Sequence, residues 1–286
     1  MIEHPFADRD AWVLFYSEAE LPVLRRTVTT LDQLRDKAEN VNGRVLSSVI
    51  LQDPLMTLRV LAYLEKRRGK RQNADITTIE RALIMIGVGP FFAAFENLPL
   101  VEDQLKEHPQ ALLGLLKVVT RARKASRWAR EWAVLRHDLD VDEITVATLL
   151  HEVAEILMWC FAPTLALKVR QLQLQDRSLR SAVAQEQVYG LSLSDLQLSL
   201  VQTWHLPKLL AMLIDDSNAS HPRVLNVSLA LDLARHSANG WDDPALPDDF
   251  RAIEDLLHIS HDSLLSRLGL EASDMTPSIN DAGQAQ

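Results

Sequence analysis

Thr148-Leu149-Leu150-His151-Glu152-Val153-Ala154 decides how this chain is read. The seven residues lie inside a strongly apolar stretch that runs from Asp142 to about Trp159. Its length and lack of alternation fit one buried helix with Asp142 as its cap, not a strand. A His followed by an acid puts ionisable chemistry where a core normally stands. Imidazole nitrogen and carboxylate oxygen are both ligands for a divalent ion. The pattern His151-Glu152-Val153-Ala154-Glu155 is similar to the zinc-peptidase pattern, but Glu155 stands where the second His would be. The two-imidazole grip on zinc is therefore missing. One helical turn sets His151 and Glu155 on the same face, which is also an ordinary surface pair. The structural reading is a partly buried His satisfied by hydrogen bonds at a lobe interface.

Outward from this stretch nearly every segment keeps a helical period, so the expected fold class is all-α. Residues 30–40 read as a first helix, and Asn42 can cap a second that carries Val45, Leu46, Val49 and Ile50. Asp53-Pro54 starts a third, since Asp accepts free N–H groups and Pro suits the first turn. Thr77-Thr78-Ile79-Glu80 reads as a capping box. The helix it opens ends at Gly87, and Pro90 starts the next. Residues 111–136 form one long amphipathic helix. Pro163, Ser178, Ser192, Pro207 and Pro222 mark later starts, and residues 248–268 form a terminal pair broken near Ser260. Pro99, Glu102, Asp103 and Pro109 interrupt the periodicity and mark a boundary between two helical lobes.

The chain has 286 residues, a hydrophobic fraction of 47% and a net charge of −9. That length holds one large domain or two smaller ones. The negative balance disfavours general nucleic-acid binding, because phosphate contacts need a positive surface. The only cysteine, Cys160, excludes an intrachain disulfide and fits a reducing cytoplasm. It lies among Met158, Trp159 and Phe161 and reads as a small buried apolar residue. The first ten residues hold early acids and no apolar core, so no secretory signal is expected. No charge-free apolar run is expected to span a bilayer.

Two basic clusters are candidate ligand or partner sites. Lys66, Arg67, Arg68, Lys70 and Arg71 surround Gly69, and could meet a phosphate or an acidic partner or simply be a solvated loop. Arg121, Arg123, Lys124, Arg127 and Arg130 lie beside Trp128 and Trp132. That Trp pair reads as core, with the cations facing solvent or the acids Asp138, Asp140 and Asp142. The chain has no Gly-x-Ser-x-Gly elbow and no Gly-rich loop ending in Lys-Ser or Lys-Thr.

Several segments together resemble the HDOD (HD-related output domain) family of bacterial regulatory domains, relatives of the HD metal-dependent phosphohydrolases. They are Leu21-Pro22, Leu51-Gln52-Asp53-Pro54-Leu55, Ile76 through to Ile86-Gly87, Leu149-Leu150-His151-Glu152, and Trp204-His205-Leu206-Pro207. The match runs over about residues 20–237. The resemblance implies a two-lobed, multi-helix bundle. Residues 1–17 would be an N-terminal extension, 18–105 the first lobe, 106–270 the HD-like lobe and 271–286 a disordered tail. The departures fall on the metal ligands. Ala129-Arg130-Glu131 follows Trp128 where the family has a His, Glu152 replaces the Asp, and Ser220-His221-Pro222 is a reduced His-His-x-Pro. The vestigial ligand candidates are His151, Glu152, Glu186 and His221.

The expectation is therefore a cytoplasmic, non-catalytic signalling module with no cofactor, no metal and no membrane partner. It would present helical surfaces and an inter-lobe groove to a regulatory protein or small ligand. With no receiver, cyclase or phosphodiesterase domain in this sequence, the signal is expected to arrive or leave by association. Two alternatives stay open: a metal-dependent phosphohydrolase with a rebuilt site, and nucleotide or nucleic-acid binding through the basic segments.

Overall fold

A computed structural model describes residues 1–36, 41–67, 76–176 and 178–270. Among them every regular element is helical, apart from an isolated bridge between Val23 and Leu100. The fold is all-α. The order is α1 (Arg9–Glu18), α2 (Arg25–Arg35), α3 (Gly43–Ile50), α4 (Pro54–Arg67), α5 (Ile79–Ile86), α6 (Val88–Ala94) and α7 (Val101–Gln104). Then come α8 (Pro109–Leu135), α9 (Val141–Leu150), α10 (Val153–Phe161), α11 (Pro163–Gln175), α12 (Ser181–Tyr189) and α13 (Leu193–Thr203). The last four are α14 (Lys208–Ile214), α15 (Pro222–His236), α16 (Leu246–Leu257) and α17 (His261–Leu268).

The axis of the second lobe is α8, 27 residues long and opened by Pro109 in its first turn. Small residues line its buried side: Ala111, Gly114, Ala122, Ala125, Ala129 and Ala133. They allow α9, α10 and α15 to pack closely along it. At Gly114 the approach leaves no room for a side chain, since a Cβ would stand 2.6 Å from the Trp159 ring. Trp128 and Trp132 are buried in this core, as is Cys160. Arg130 turns outward to Asp142 at 2.6 Å, and Arg223 is paired with Asp138 and Asp140.

The first lobe is organised by Asp53, which is fully buried. Its Oδ1 accepts the N–H groups of Leu55 and Met56 and so caps α4. Its Oδ2 accepts the Leu24 N–H and the Thr27 hydroxyl and so ties α2 to α4. The lobes meet where α4 packs on α9. Thr77 donates to Glu143 across the joint at 2.7 Å, and Arg123 reaches Gln52 at 2.6 Å.

Four local expectations are corrected. The capping box at residues 77–80 is half formed: Thr78 caps α5 by accepting from Arg81 N–H, while Thr77 is engaged by Glu143. Ser178 does not cap α12; its hydroxyl and N–H both bond Asp176. The helix expected at residues 30–40 begins earlier, at Arg25, and an unforeseen α1 precedes it. Trp12 and Tyr16 of α1 are fully buried, α1 packs on α13, and the Tyr16 hydroxyl reaches Met158 Sδ at 3.4 Å. The fourth correction concerns the apolar stretch itself. It is two helices broken at His151-Glu152, and α9 starts after Asp140, not at Asp142. By length and composition residues 141–161 could cross a membrane, but 83% of their most apolar window is buried inside the fold.

Candidate functional site

The break between α9 and α10 sets the geometry of the site. Interrupting a buried helix strands backbone groups that need partners. Gln197 of α13, itself buried, supplies both. Its Oε1 accepts the Ala154 N–H at 2.8 Å and its Nε2 donates to the Leu150 carbonyl at 3.0 Å. The turn held this way aims Glu152 at α8 and His151 at the short turn after α14.

Glu152 is buried and faces Arg121 of α8. Arg121 Nε donates to Glu152 Oε2 at 2.8 Å, and Nη2 donates to Glu152 Oε1 at 2.8 Å. The same Nη2 reaches Glu155 Oε2 at 2.8 Å. Arg235 of α15 adds a longer bond to Glu152 Oε1 at 3.4 Å. One guanidinium therefore ties two carboxylates, in the bidentate geometry that planar Arg favours. Burial alone would raise the Glu152 carboxyl pKa. The charge and hydrogen bonds of Arg121, helped by Arg235 and His151, outweigh this and hold it below its usual value. Burial would lower the Arg121 pKa, but Glu155 and Glu152 outweigh it and raise it, so the guanidinium stays charged.

His151 meets Asp216 through Nε2 at 3.2 Å, and Ser228 donates to the same Asp216 oxygen at 3.1 Å. Burial works to raise the Asp216 pKa, but these contacts bring it below its usual value. Of the four vestigial ligand candidates, only His151 and Glu152 come together. Glu186 is exposed on α12. His221 is also exposed, and its Nδ1 accepts the Arg223 N–H at the start of α15. Among the described residues no group of three or more His, Cys, Asp or Glu side chains is placed to hold a metal ion. A divalent ion beside Glu152 would have to displace a guanidinium from both carboxylate oxygens, so the residues present do not fit an HD-type metal.

Arg121, His151, Glu152, Glu155, Gln197 and Asp216 line one cavity of about 1110 Å³. Its wall comes from residues 113–239, within the second lobe and not between the lobes, where the sequence reading expects a groove. A smaller cavity of about 300 Å³ does lie between α5 and the start of α9, beside Arg81 and Glu143. The basic candidates lie elsewhere. Lys66 and Arg67 end α4, with Arg67 4.3 Å over the Tyr63 ring, while Arg68, Lys70 and Arg71 fall outside the described residues. The tail at residues 271–286 also falls outside them. Arg127 and Arg130 are exposed on α8, away from the large cavity. Lys124 stands in its wall, bonded to the Ser237 hydroxyl at 3.1 Å and lying over the rings of Trp128 and Trp241.

The sequence reading did not single out Gln197. The basic run that holds Arg121 is expected to face solvent or the acids Asp138, Asp140 and Asp142, whereas Arg121 itself meets Glu152 and Glu155. The available signal was arithmetic: Leu113, Lys117, Arg121 and Lys124 share one helical face that differs from that of Arg123, Arg127 and Arg130.

The same architecture recurs in solved structures. The MmoQ response regulator of Methylococcus capsulatus str. Bath superposes with a TM-score of 0.68 at 16% identity, over 89% of this chain and all of that one. A virulence factor from Campylobacter jejuni subsp. jejuni superposes with a TM-score of 0.65 at 18% identity, over 94% of this chain and 99% of that one. No curated protein matches the sequence. The HDOD domain pattern matches residues 21–220, and the chain belongs to the HDOD domain family.

Proposed function

We propose that this chain is a non-catalytic signal-transduction module of the bacterial cytoplasm. It would work by binding a small ligand or a regulatory protein at the cavity of its second lobe. One observation carries the reading: Arg121 fills the place beside His151-Glu152 with a fixed cation bonded to both Glu152 and Glu155. Activating water by the metal-dependent route needs an ion with an open coordination position, and this arrangement offers a closed organic ion pair. The cavity is large enough for a small ligand. Its wall draws on α8, α10, α11, α12, α13 and α15, so an occupant could favour one packing of these helices over another, provided that it contacts the two differently. The fold shared with a protein described as a response regulator agrees with such a role.

The test is elemental analysis of the purified full chain together with a phosphoesterase assay in added manganese. Less than a tenth of an equivalent of iron, manganese or zinc, and no hydrolysis above background, is the expected result. Stoichiometric metal that disappears in His151→Ala, accompanied by turnover, would replace this reading with that of a rebuilt phosphohydrolase.

A further inference from the structure

The cavity wall is not uniform in charge. Elements α8, α11 and α12 contribute Lys117, Arg121, Lys124 and Arg170 to it and no carboxylate. The acids come from the other side: Glu152, Glu155, Asp195, Asp215 and Asp216. Glu152 and Glu155 are bound by Arg121, and Asp216 by His151. Asp215 caps the turn at Ser217, and Asp195 is exposed at the start of α13. Among the described residues Lys117 and Arg170 have no ion-pair partner, in a chain whose net charge is −9. Beside them lie Leu113, which is 51% exposed, the half-buried Leu116, and the Trp159 ring seated on Gly114. Gln173, bonded to Ser181 at 2.8 Å, and Gln185 supply neutral polar groups at the same end. Spare cations in a concave wall focus field on an incoming anion, and exposed leucine beside a ring rewards an apolar body.

We infer that the α8–α11–α12 end of the cavity binds an amphiphilic organic anion, its carboxylate or phosphate between Lys117 and Arg170 and its apolar body on Leu113, Leu116 and Trp159. The inference rests on the cavity being a ligand site, as proposed above, and gives the ligand its chemistry.

The test is calorimetric titration of the full chain with four probes that share one tail: octanoate, octyl phosphate, octanol and octyltrimethylammonium. At least one of the two anions should bind tenfold or more tightly than octanol or the ammonium, and the tighter one identifies the headgroup. Lys117→Gln combined with Arg170→Gln should weaken that anion at least tenfold and leave octanol binding unchanged. Both side chains are free of ion pairs among the described residues, so an unchanged melting temperature would verify the fold. Equal affinity for octanol and both anions, or full anion affinity in the double variant, would overturn the inference. Neither result bears on metal content or hydrolysis, so failure here leaves the non-catalytic reading standing, and failure there leaves this one standing.

Discussion

Two buried carboxylates, one in each lobe, solve the same problem in opposite ways. Asp53 is enclosed by neutral donors: three backbone N–H groups and one hydroxyl. Glu152 is enclosed by guanidinium groups. Burial dominates at Asp53 and raises its pKa despite the four hydrogen bonds. At Glu152 burial pushes the same way, but two cations and His151 reverse it. Backbone dipoles fix where chain segments go, and at Asp53 they join α2 to the start of α4. A cation fixes charge, and at Glu152 it keeps a permanent positive group at the wall of a cavity. The first arrangement builds a scaffold. The second locks the carboxylate of the His151-Glu152 pair into an ion pair.

The largest effect that could break this comparison is expected from Arg121. Arg121→Met leaves the buried Glu152 with Arg235 as its remaining cation in an ion pair and the half-buried Glu155 with none among the described residues, and a buried pair stripped of one partner costs about 3–5 kcal/mol. Urea denaturation followed by circular dichroism measures it. If the ion pair is a specificity device with little net worth, Arg121→Met combined with Glu152→Met should recover most of the loss. A double variant as unstable as the single would show that the pair itself holds α8 to α10.

Next in size is Gln197→Leu. It removes both partners of the helix break and leaves the Ala154 N–H and the Leu150 carbonyl buried without bonds. At about 1–2 kcal/mol per unsatisfied group, the lower part of the usual range because the turn borders an open cavity, a total loss of about 2–4 kcal/mol is expected. Backbone amide exchange should speed up at Ala154 before it does at Val118. Uniform acceleration would mean that the break is not locally held. Asp53→Asn follows, at about 2 kcal/mol, because an amide NH₂ then faces donors that the carboxylate oxygen had accepted. Its loss should appear in the melting temperature without any change in ligand binding at the second lobe.

Legibility in the sequence follows the same division. Asn42 and Asp53 are caps readable from their own neighbourhood, Ser192 marks a start, and all three accept backbone N–H groups; the break expected near Ser260 is a cap as well, its hydroxyl accepting the Ser263 N–H. The all-helical class was legible for the same reason, since period is a local property. The HDOD resemblance was legible because its motifs sit at such local points. The break at His151-Glu152 was not. Val141–Phe161 holds no Pro or Gly to stop a helix, and the side chain that satisfies the break lies 43 and 47 residues further on. Arg121 was read with its basic neighbours because its acids lie 31 and 34 residues away, on another helix. Glu186 and His221 looked like ligand candidates by analogy of order in the chain, and the packing of α12 and α15 leaves both at the surface.

The smallest effect is the most direct test of the opposition, because it asks only for a sign. A carboxyl whose folded-state pKa is depressed stabilises the fold fully above its unfolded value, here 4.5, and that contribution fades as pH falls through the folded value. A carboxyl whose folded-state pKa is raised does the reverse. Its contribution is complete below the unfolded value, here 3.8, and is lost as pH rises through the folded value. The stability gap between wild type and Glu152→Gln should therefore narrow as pH falls below about 4.5. The gap between wild type and Asp53→Asn should widen as pH falls toward 3.8. Urea midpoints measured across that range for the three proteins give both slopes. Two slopes of the same sign would mean that the guanidinium groups do not govern Glu152, and that the two lobes hold their buried acids by one mechanism.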